Sequence, residues 1–167
     1  MKLVLPIAHS VYDGNPPILP AEKSYAYIMA GGGLYKFAAN QHLEALVPLV
    51  ECPIRGLPPI APYAHIKGPD GPHKLSGRLL RTVLEDARKA AQSGPIETMY
   101  HFYLFGDEVH VKKPRQRGDG RNVTYTGGNE ANVVLDLHSH HQLGAFFSGT
   151  DDGDEQGFRL YATIGKI

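Results

Sequence analysis

The sequence predicts an α/β (α+β) fold in which short strands accompany one amphipathic helix. A helical repeat of apolar residues occupies residues 76–94, and apolar strand-forming runs occupy residues 96–105 and 133–137. The chain also contains 19 glycines and 13 prolines, and because both residues favour turns, we expect the remaining elements to be short. The pattern divides the chain into a small, mostly β extension over residues 1–58 and a mixed domain over residues 59–167.

Composition excludes several classes of function. The 17 basic residues balance the 17 acidic ones, so we expect no direct binding to nucleic acid or to an anionic membrane. The single Cys52 excludes an intrachain disulfide, a cysteine-rich zinc site and the P-C-x-x-C signature of zinc nucleoside deaminases. The apolar runs are too short to span a membrane, and residues 1–7 are too short for a signal segment. We therefore expect a soluble cytoplasmic protein.

The extension shows the alternation of strands rather than the period of a helix. Residues 25–30 and 34–38 flank three glycines at 31–33 and predict a β-hairpin. No helix with Lys-Ser/Thr follows these glycines, so they do not form a phosphate-binding loop. Residues 41–50 fit either a third strand or a short helix. A platform for a substrate or partner is one hypothesis for the extension.

The predicted helix follows a short strand over residues 60–66 and a glycine- and proline-rich turn. Ser76 offers a side-chain oxygen to the first turn, and Gly94-Pro95 ends the helix. Apolar residues recur at the spacing of one buried face: Leu79, Leu80, Val83, Leu84, Ala87, Ala90 and Ala91. We expect the charged opposite face to be solvated.

Strands and turns follow the helix. Residues 96–105 predict a strand with Glu97 at its entrance, and residues 109–111 begin a further strand. Residues 113–121 form a basic, glycine-rich loop, which is either a mobile turn or a flap that docks an acidic or C-terminal tail of a substrate. Residues 123–126 predict one more short strand.

The most informative stretch is an apolar strand that leads into His138 and His140. Residues two apart in a strand point to the same side of the sheet, so both imidazoles can reach one metal ion. After a loop, Asp151 supplies a carboxylate, and residues 157–167 predict a final strand. Two imidazole nitrogens and one carboxylate form a typical catalytic zinc set, which leaves the fourth position for water.

An isolated H-x-H pair on a strand is more often a surface or half-buried pair than a metal site. Here the pair belongs to the longer pattern H-S-H-x7-S-x-x-D, which includes Ser148 and Asp151. This pattern resembles the JAMM motif of the JAB/MPN metalloprotease family, which contains the ubiquitin isopeptidases and their prokaryotic relatives. The run HSHH…AFFSGTDDGDEQGFR is most similar to the bacterial PRTRC system protein A group within that family.

The resemblance implies a JAB/MPN-like, cytidine-deaminase-type mixed sheet flanked by helices, and it assigns the same roles that the chemistry requires. Zn²⁺ bound by His138, His140 and Asp151 would acidify water and polarise a carbonyl. A nearby carboxylate that does not bind the metal acts as base. In the family this glutamate opens the strand after the first core helix, a position that Glu97 matches. The Ser148 hydroxyl would stabilise the oxyanion.

Other residues offer alternatives at this site. Glu108 is the rival to Glu97, and His101 and His110 are further candidates for a metal or proton role. Asp136 precedes the first ligand by two residues and can orient an imidazole. His141 stands where the family commonly has proline, so it is a spectator, a supporting residue or an alternative ligand.

The predicted function is zinc-dependent hydrolysis of a peptide or isopeptide bond, at the tail of a ubiquitin-like protein. Resemblance to the PRTRC group also implies a ThiF-type activating protein as a partner. The competing hypotheses are a non-catalytic MPN-type interaction module in a bacterial PRTRC cassette and an enzyme that hydrolyses a small amide. JAMM domains usually continue beyond the last strand seen here, so we expect either that the extension replaces those elements or that the domain is C-terminally shortened.

Overall fold

The chain is mixed α/β and rich in sheet, and it divides into two compact units, residues 1–72 and residues 73–167. The computed structural model describes residues 7–20, 25–94, 97–118, 123–126, 132–147 and 157–167. In these ranges there are twelve β-strands and one α-helix. No helix within the described ranges is both long enough and apolar enough to cross a membrane.

The first unit is a six-stranded sheet whose strands lie in chain order. Its strands are β1 (Ile7–Val11), β2 (Tyr25–Ala30), β3 (Gly33–Ala39), β4 (Leu43–Glu51), β5 (Tyr63–Gly68) and β6 (Gly71–Pro72). Strands β1 and β2 are parallel, whereas all later neighbours are antiparallel. The predicted hairpin is therefore confirmed as β2–β3, and the ambiguous residues 41–50 contain a strand rather than a helix.

Alternation along β2 explains the core of this unit. Ala26, Ile28 and Ala30 are buried and pack in one cluster with Phe37 and Leu46. The intervening residues of β2 point to the opposite face, as the two-residue period of a strand requires. One face of this sheet therefore supplies the hydrophobic core of the unit.

The observed division of the chain differs from the predicted boundary at residue 58. Strand β5 pairs with β4, with Leu46 opposite Tyr63, so it lies in the first sheet. The prolines at 58 and 59 interrupt the chain between these strands. Proline breaks a strand locally but does not determine which sheet the following strand joins.

The second unit contains the helix and two sheets. Its elements are α1 (Gly77–Gln92), β7 (Thr98–Phe105), β8 (Glu108–Lys112), β9 (Arg115–Gly118), β10 (Val123–Thr126), β11 (Val133–Ser139) and β12 (Leu160–Ile164). The larger sheet has the order β12-β11-β7-β8, and β9 and β10 form a separate antiparallel pair. Strand β11 is parallel to β12 and antiparallel to β7, so it is central.

Helix α1 begins and ends close to the predicted residues. The Ser76 hydroxyl accepts a hydrogen bond from the Leu79 N–H at 3.2 Å, which satisfies one donor of the first turn. Val83 and Ala87 are the buried residues of the helix, and Ser93 caps its end. The predicted helix, its cap and its apolar face are confirmed.

The prediction of a loop over residues 113–121 is wrong for residues 115–118, which form β9. Gln116 shows why this strand is stable despite its charged neighbours. Its side-chain amide accepts from the Met99 N–H at 2.6 Å and donates to the Met99 carbonyl at 3.1 Å. The Gln116 amide thus makes the two backbone hydrogen bonds to Met99 that a neighbouring strand would make, because β8 has already ended at Lys112. Residues 119–121 of the predicted loop lie outside the described residues.

A carboxylate on α1 connects the helix to the larger sheet. One oxygen of Asp86 accepts hydrogen bonds from the Tyr100 hydroxyl and from the Lys113 ammonium, each at 2.7 Å. Partial burial acts to raise the pKa of the Asp86 carboxyl, but these two hydrogen bonds and the positive charges of Lys113 and Lys89 together hold the pKa below its ordinary value of 3.8. Burial and the bond to Asp86 raise the pKa of the Tyr100 hydroxyl.

We predict that Asp86→Asn reduces the acid sensitivity of the fold. A carboxyl whose pKa is lowered by folding stabilises the protein above its unfolded-state pKa, and this contribution disappears as the pH falls through the folded-state pKa. The variant should therefore be less stable than wild type at about pH 7 and should lose less stability between about pH 5 and about pH 2. Urea denaturation measures both quantities. Glu85→Gln, an exposed neighbour on α1, is the control, and equal pH dependence in wild type and Asp86→Asn would contradict the prediction.

Candidate functional site

Two histidines lie together where β11 ends. His138 belongs to the strand and His140 follows it directly, and both are buried. Their Nε2 atoms are 2.8 Å apart and their ring centroids are 4.7 Å apart. The two-residue period of the strand directs both imidazoles to one face of the sheet, as the sequence predicted.

The two imidazoles fit a zinc ion by donor type and by direction. Nitrogens that bind one tetrahedral zinc at about 2.0–2.1 Å lie about 3.3 Å from each other, so the pair would open by only about half an ångström. His140 Nδ1 lies 3.3 Å from the Gly144 carbonyl oxygen. Donation from Nδ1–H to a carbonyl selects the tautomer in which Nε2 is the ligand atom.

The pairing of β7 with β11 brings Glu97 to the same place. Met99 lies opposite His138, and opposite residues of an antiparallel pair share one face. Glu97 directly precedes β7, and the alternation of the strand, if continued by one residue, would direct its side chain to the side of His138. Glu97 is 6% exposed. The register thus places the buried residue Glu97 at the end of the sheet that carries the two histidines.

The remaining two predicted site residues, Ser148 and Asp151, lie outside the described residues. In the described ranges, no group of three or more histidine, cysteine, aspartate and glutamate side chains is arranged to hold a metal ion. The structure therefore describes two of the three predicted ligands, His138 and His140, together with the predicted base.

The rival glutamate lies elsewhere. Glu108 opens β8 opposite Phe105, at the other end of β7 from Glu97. Its side chain is 82% exposed and faces the exposed His110, with 3.5 Å between Oε2 and Nε2. The structure does not bring Glu108 or His110 to the histidine pair.

A buried polar network lies beside the pair, centred on Asp136. Its Oδ1 is 2.5 Å from His101 Nδ1, and its Oδ2 accepts from the Arg159 guanidinium at 3.0 Å. The imidazole that Asp136 contacts is thus that of His101, which lies directly opposite it on β7. An acidic residue within a buried apolar run indicates a buried partner. Arg159 was not predicted as this partner, because the sequence does not show that β12 pairs with β11.

His141 adopts an unusual backbone conformation after the pair. Its φ is 39°, in the left-handed region, and the residue is buried. Its carbonyl accepts a hydrogen bond from the Ile167 N–H at 2.9 Å. Histidine enters this region more readily than most residues, which is compatible with its place in a sharp turn.

Two aromatic rings form an apolar rim at the site. The Phe146 ring meets the His140 ring edge-on at 4.8 Å between centroids, and Phe147 lies 6.5 Å from His138. The two phenylalanines are 49% and 47% exposed. A buried pair of imidazoles therefore lies under a partly solvent-exposed apolar surface.

Comparison with known proteins identifies no relative. No family model, no curated protein and no solved structure matches the chain. The interpretation of the site therefore depends on its own residues and their geometry.

We predict that Asp136→Ala destabilises the second unit by about 3–5 kcal/mol, because it removes the carboxylate from a buried ion pair and from the contact with His101. The side chains of Arg159 and Asp136 are only 11% and 5% exposed. Urea denaturation measures the effect. The matched control is Glu108→Ala, which removes a carboxylate from an exposed contact with histidine and should cause no measurable change. Equal stability of the two variants would contradict a structural role for the network.

Proposed function

We propose that this chain is a zinc-dependent metallopeptidase or isopeptidase of the JAMM (JAB/MPN) type. Its substrate would be a peptide or isopeptide bond at the tail of a ubiquitin-like protein. The observation that carries the proposal is the convergence of His138 and His140, with Nε2 atoms 2.8 Å apart, at the end of the sheet where Glu97 is buried. The JAMM-like spacing of the sequence adds Ser148 and Asp151.

Each residue has a defined role in this proposal. His138 and His140 would hold the ion together with Asp151. When bound, zinc supplies the Lewis acidity that polarises a carbonyl and lowers the pKa of water. Glu97 accepts the proton of the attacking water and returns it to the leaving amine. The Ser148 hydroxyl donates a hydrogen bond to the carbonyl oxygen as negative charge develops there.

The surroundings of the pair support hydrolysis of an extended chain. Both histidines and Glu97 are buried, and a low-dielectric environment strengthens electrostatic interactions with the reacting groups. The exposed rings of Phe146 and Phe147 offer an apolar surface against which a side chain of the substrate can pack.

A non-catalytic MPN-type interaction module in a bacterial PRTRC cassette is the second candidate. It is favoured by exposed apolar residues on β4 of the first unit, where Val47, Leu49 and Val50 are 42%, 48% and 53% exposed. Exposed apolar patches often mark protein interaction sites. A ThiF-type activating protein is the partner that this candidate suggests.

We predict that Glu97→Gln abolishes cleavage without removing the metal. General acid–base catalysis contributes about 10²–10⁴-fold, so the variant should lose at least about 10² in kcat while it binds zinc as wild type does. Mass spectrometry of a ubiquitin-like protein with a peptide fused to its tail measures cleavage, and elemental analysis measures zinc. Glu108→Gln is the matched control and should retain full activity.

The outcome separates the two candidates. Cleavage by wild type and Glu108→Gln but not by Glu97→Gln supports the peptidase. If wild type binds zinc but cleaves no peptide or isopeptide fusion, the interaction module becomes the favoured function and the peptidase is rejected. Equal cleavage by wild type and Glu97→Gln would contradict the assigned base.

A further inference from the structure

Residues 164–167 lie against the turn that follows the histidine pair. The His140 N–H donates to the Ile164 carbonyl at 2.7 Å, and the Lys166 N–H donates to the Leu143 carbonyl at 2.7 Å. The turn itself is closed by the Leu143 N–H, which donates to the His140 carbonyl at 2.8 Å. Backbone hydrogen bonds thus connect the turn that carries His140 to the segment that follows β12.

Gly165 lies at the closest approach between these two segments. A Cβ atom at this position would lie 2.5 Å from the Leu143 carbonyl oxygen and closer still to backbone atoms of Gly144 and Ala145. Separations under 3.0 Å are essentially never observed for real Cβ atoms. Since Gly165 is not among the residues with positive φ, its requirement for glycine is steric and does not arise from the backbone conformation.

The peptide that a Cβ would displace is the one that orients His140. The Gly144 carbonyl oxygen lies 3.3 Å from His140 Nδ1, and a Cβ at position 165 would overlap the carbon of the same carbonyl group. A side chain at 165 would therefore displace the carbonyl group that contacts the imidazole. Gly77, the first residue of α1, offers a contrast, because a Cβ at that position would meet the Arg81 guanidinium at 3.8 Å, an ordinary van der Waals distance.

We propose that Gly165 is a positioning residue for His140. The missing side chain lets residues 143–145 pack against the segment that follows β12, and this packing holds the Gly144 carbonyl at the imidazole. The orientation of the imidazole then fixes the direction of Nε2 toward the ion. The inference rests on the proposed role of His140 as a zinc ligand.

Gly165→Ala tests this role, with Gly77→Ala as the matched control. Both variants add one methyl group to the second unit, but only the first creates a clash with backbone. Loss of a group that orients a ligand typically lowers metal affinity about 10- to 100-fold, so we expect that loss for Gly165→Ala and a change within about twofold for Gly77→Ala. Competition with a chelator measures the zinc affinity. Equal affinities of the two variants would overturn the proposal.

The ¹⁵N spectrum of the imidazoles in the metal-free protein provides a second readout. We expect the Nδ1 resonance of His140 to move in Gly165→Ala and to stay unchanged in Gly77→Ala, since only the first displaces the acceptor. If wild type binds no zinc, the proposed function fails, and this spectrum still tests the packing. An unchanged His140 resonance in Gly165→Ala would overturn the positioning role.

A variant that ends at Gly165 keeps the proposal testable if Gly165→Ala fails to fold. It introduces no clash but removes the hydrogen bonds that Lys166 and Ile167 donate to Leu143 and His141. We expect weaker zinc binding and a shifted Nδ1 resonance of His140 in a folded protein. Wild-type values of both would show that the segment does not position the imidazole.

Discussion

The antiparallel pairing of β7 with β11 is the constraint on which the site depends. It places Met99 opposite His138 and Asp136 opposite His101, and it therefore brings Glu97, which directly precedes β7, to the end of the sheet that carries the two histidines. A slip of one residue would turn every side chain of a strand to the other face. Asp136 is buried and contacts His101 and Arg159. Such a slip would separate these buried polar groups and would therefore be costly.

The other edge of β11 is held by β12, and this second pairing positions the turn. Strand β12 runs parallel to β11, and its Ile164 carbonyl binds the N–H of His140. Arg159 precedes the strand and reaches Asp136. The histidine pair is thus fixed from both sides, by a register on one side and by the close packing of Gly165 on the other. A pair of imidazoles held this way would need little rearrangement to bind the proposed ion.

Local signals in the sequence predicted a large part of this structure. The cap at Ser76 and the apolar period located α1, and the alternating runs located the β2–β3 hairpin and the strand of His138. Pairings between distant segments could not be predicted, because no local pattern encodes which strand lies beside which. This explains why the place of β5 in the first sheet was not predicted. The same limit hid Gln116, whose side-chain amide stabilises a strand that its charged neighbours did not suggest.

In the proposed site, the shared face of the two histidines could be predicted from the sequence, whereas the contacts that hold them could not. The spacing of His138 and His140 on a strand predicts a shared face, which the structure shows. The contact between Arg159 and Asp136 and the steric demand at Gly165 depend on β12 lying beside β11. Glycine at 165 carries no signal of its own in the sequence, since its role becomes visible only when the backbone of another segment lies within contact distance.

The most direct test of the proposed metal centre is the zinc content per chain of protein purified without a histidine tag. Elemental analysis of wild type and of His138→Ala gives the comparison. A zinc-binding site formed by the histidine pair predicts about one zinc per wild-type chain and its loss in the variant. Wild-type protein that contains no zinc, even after zinc has been added back, would contradict the proposed site.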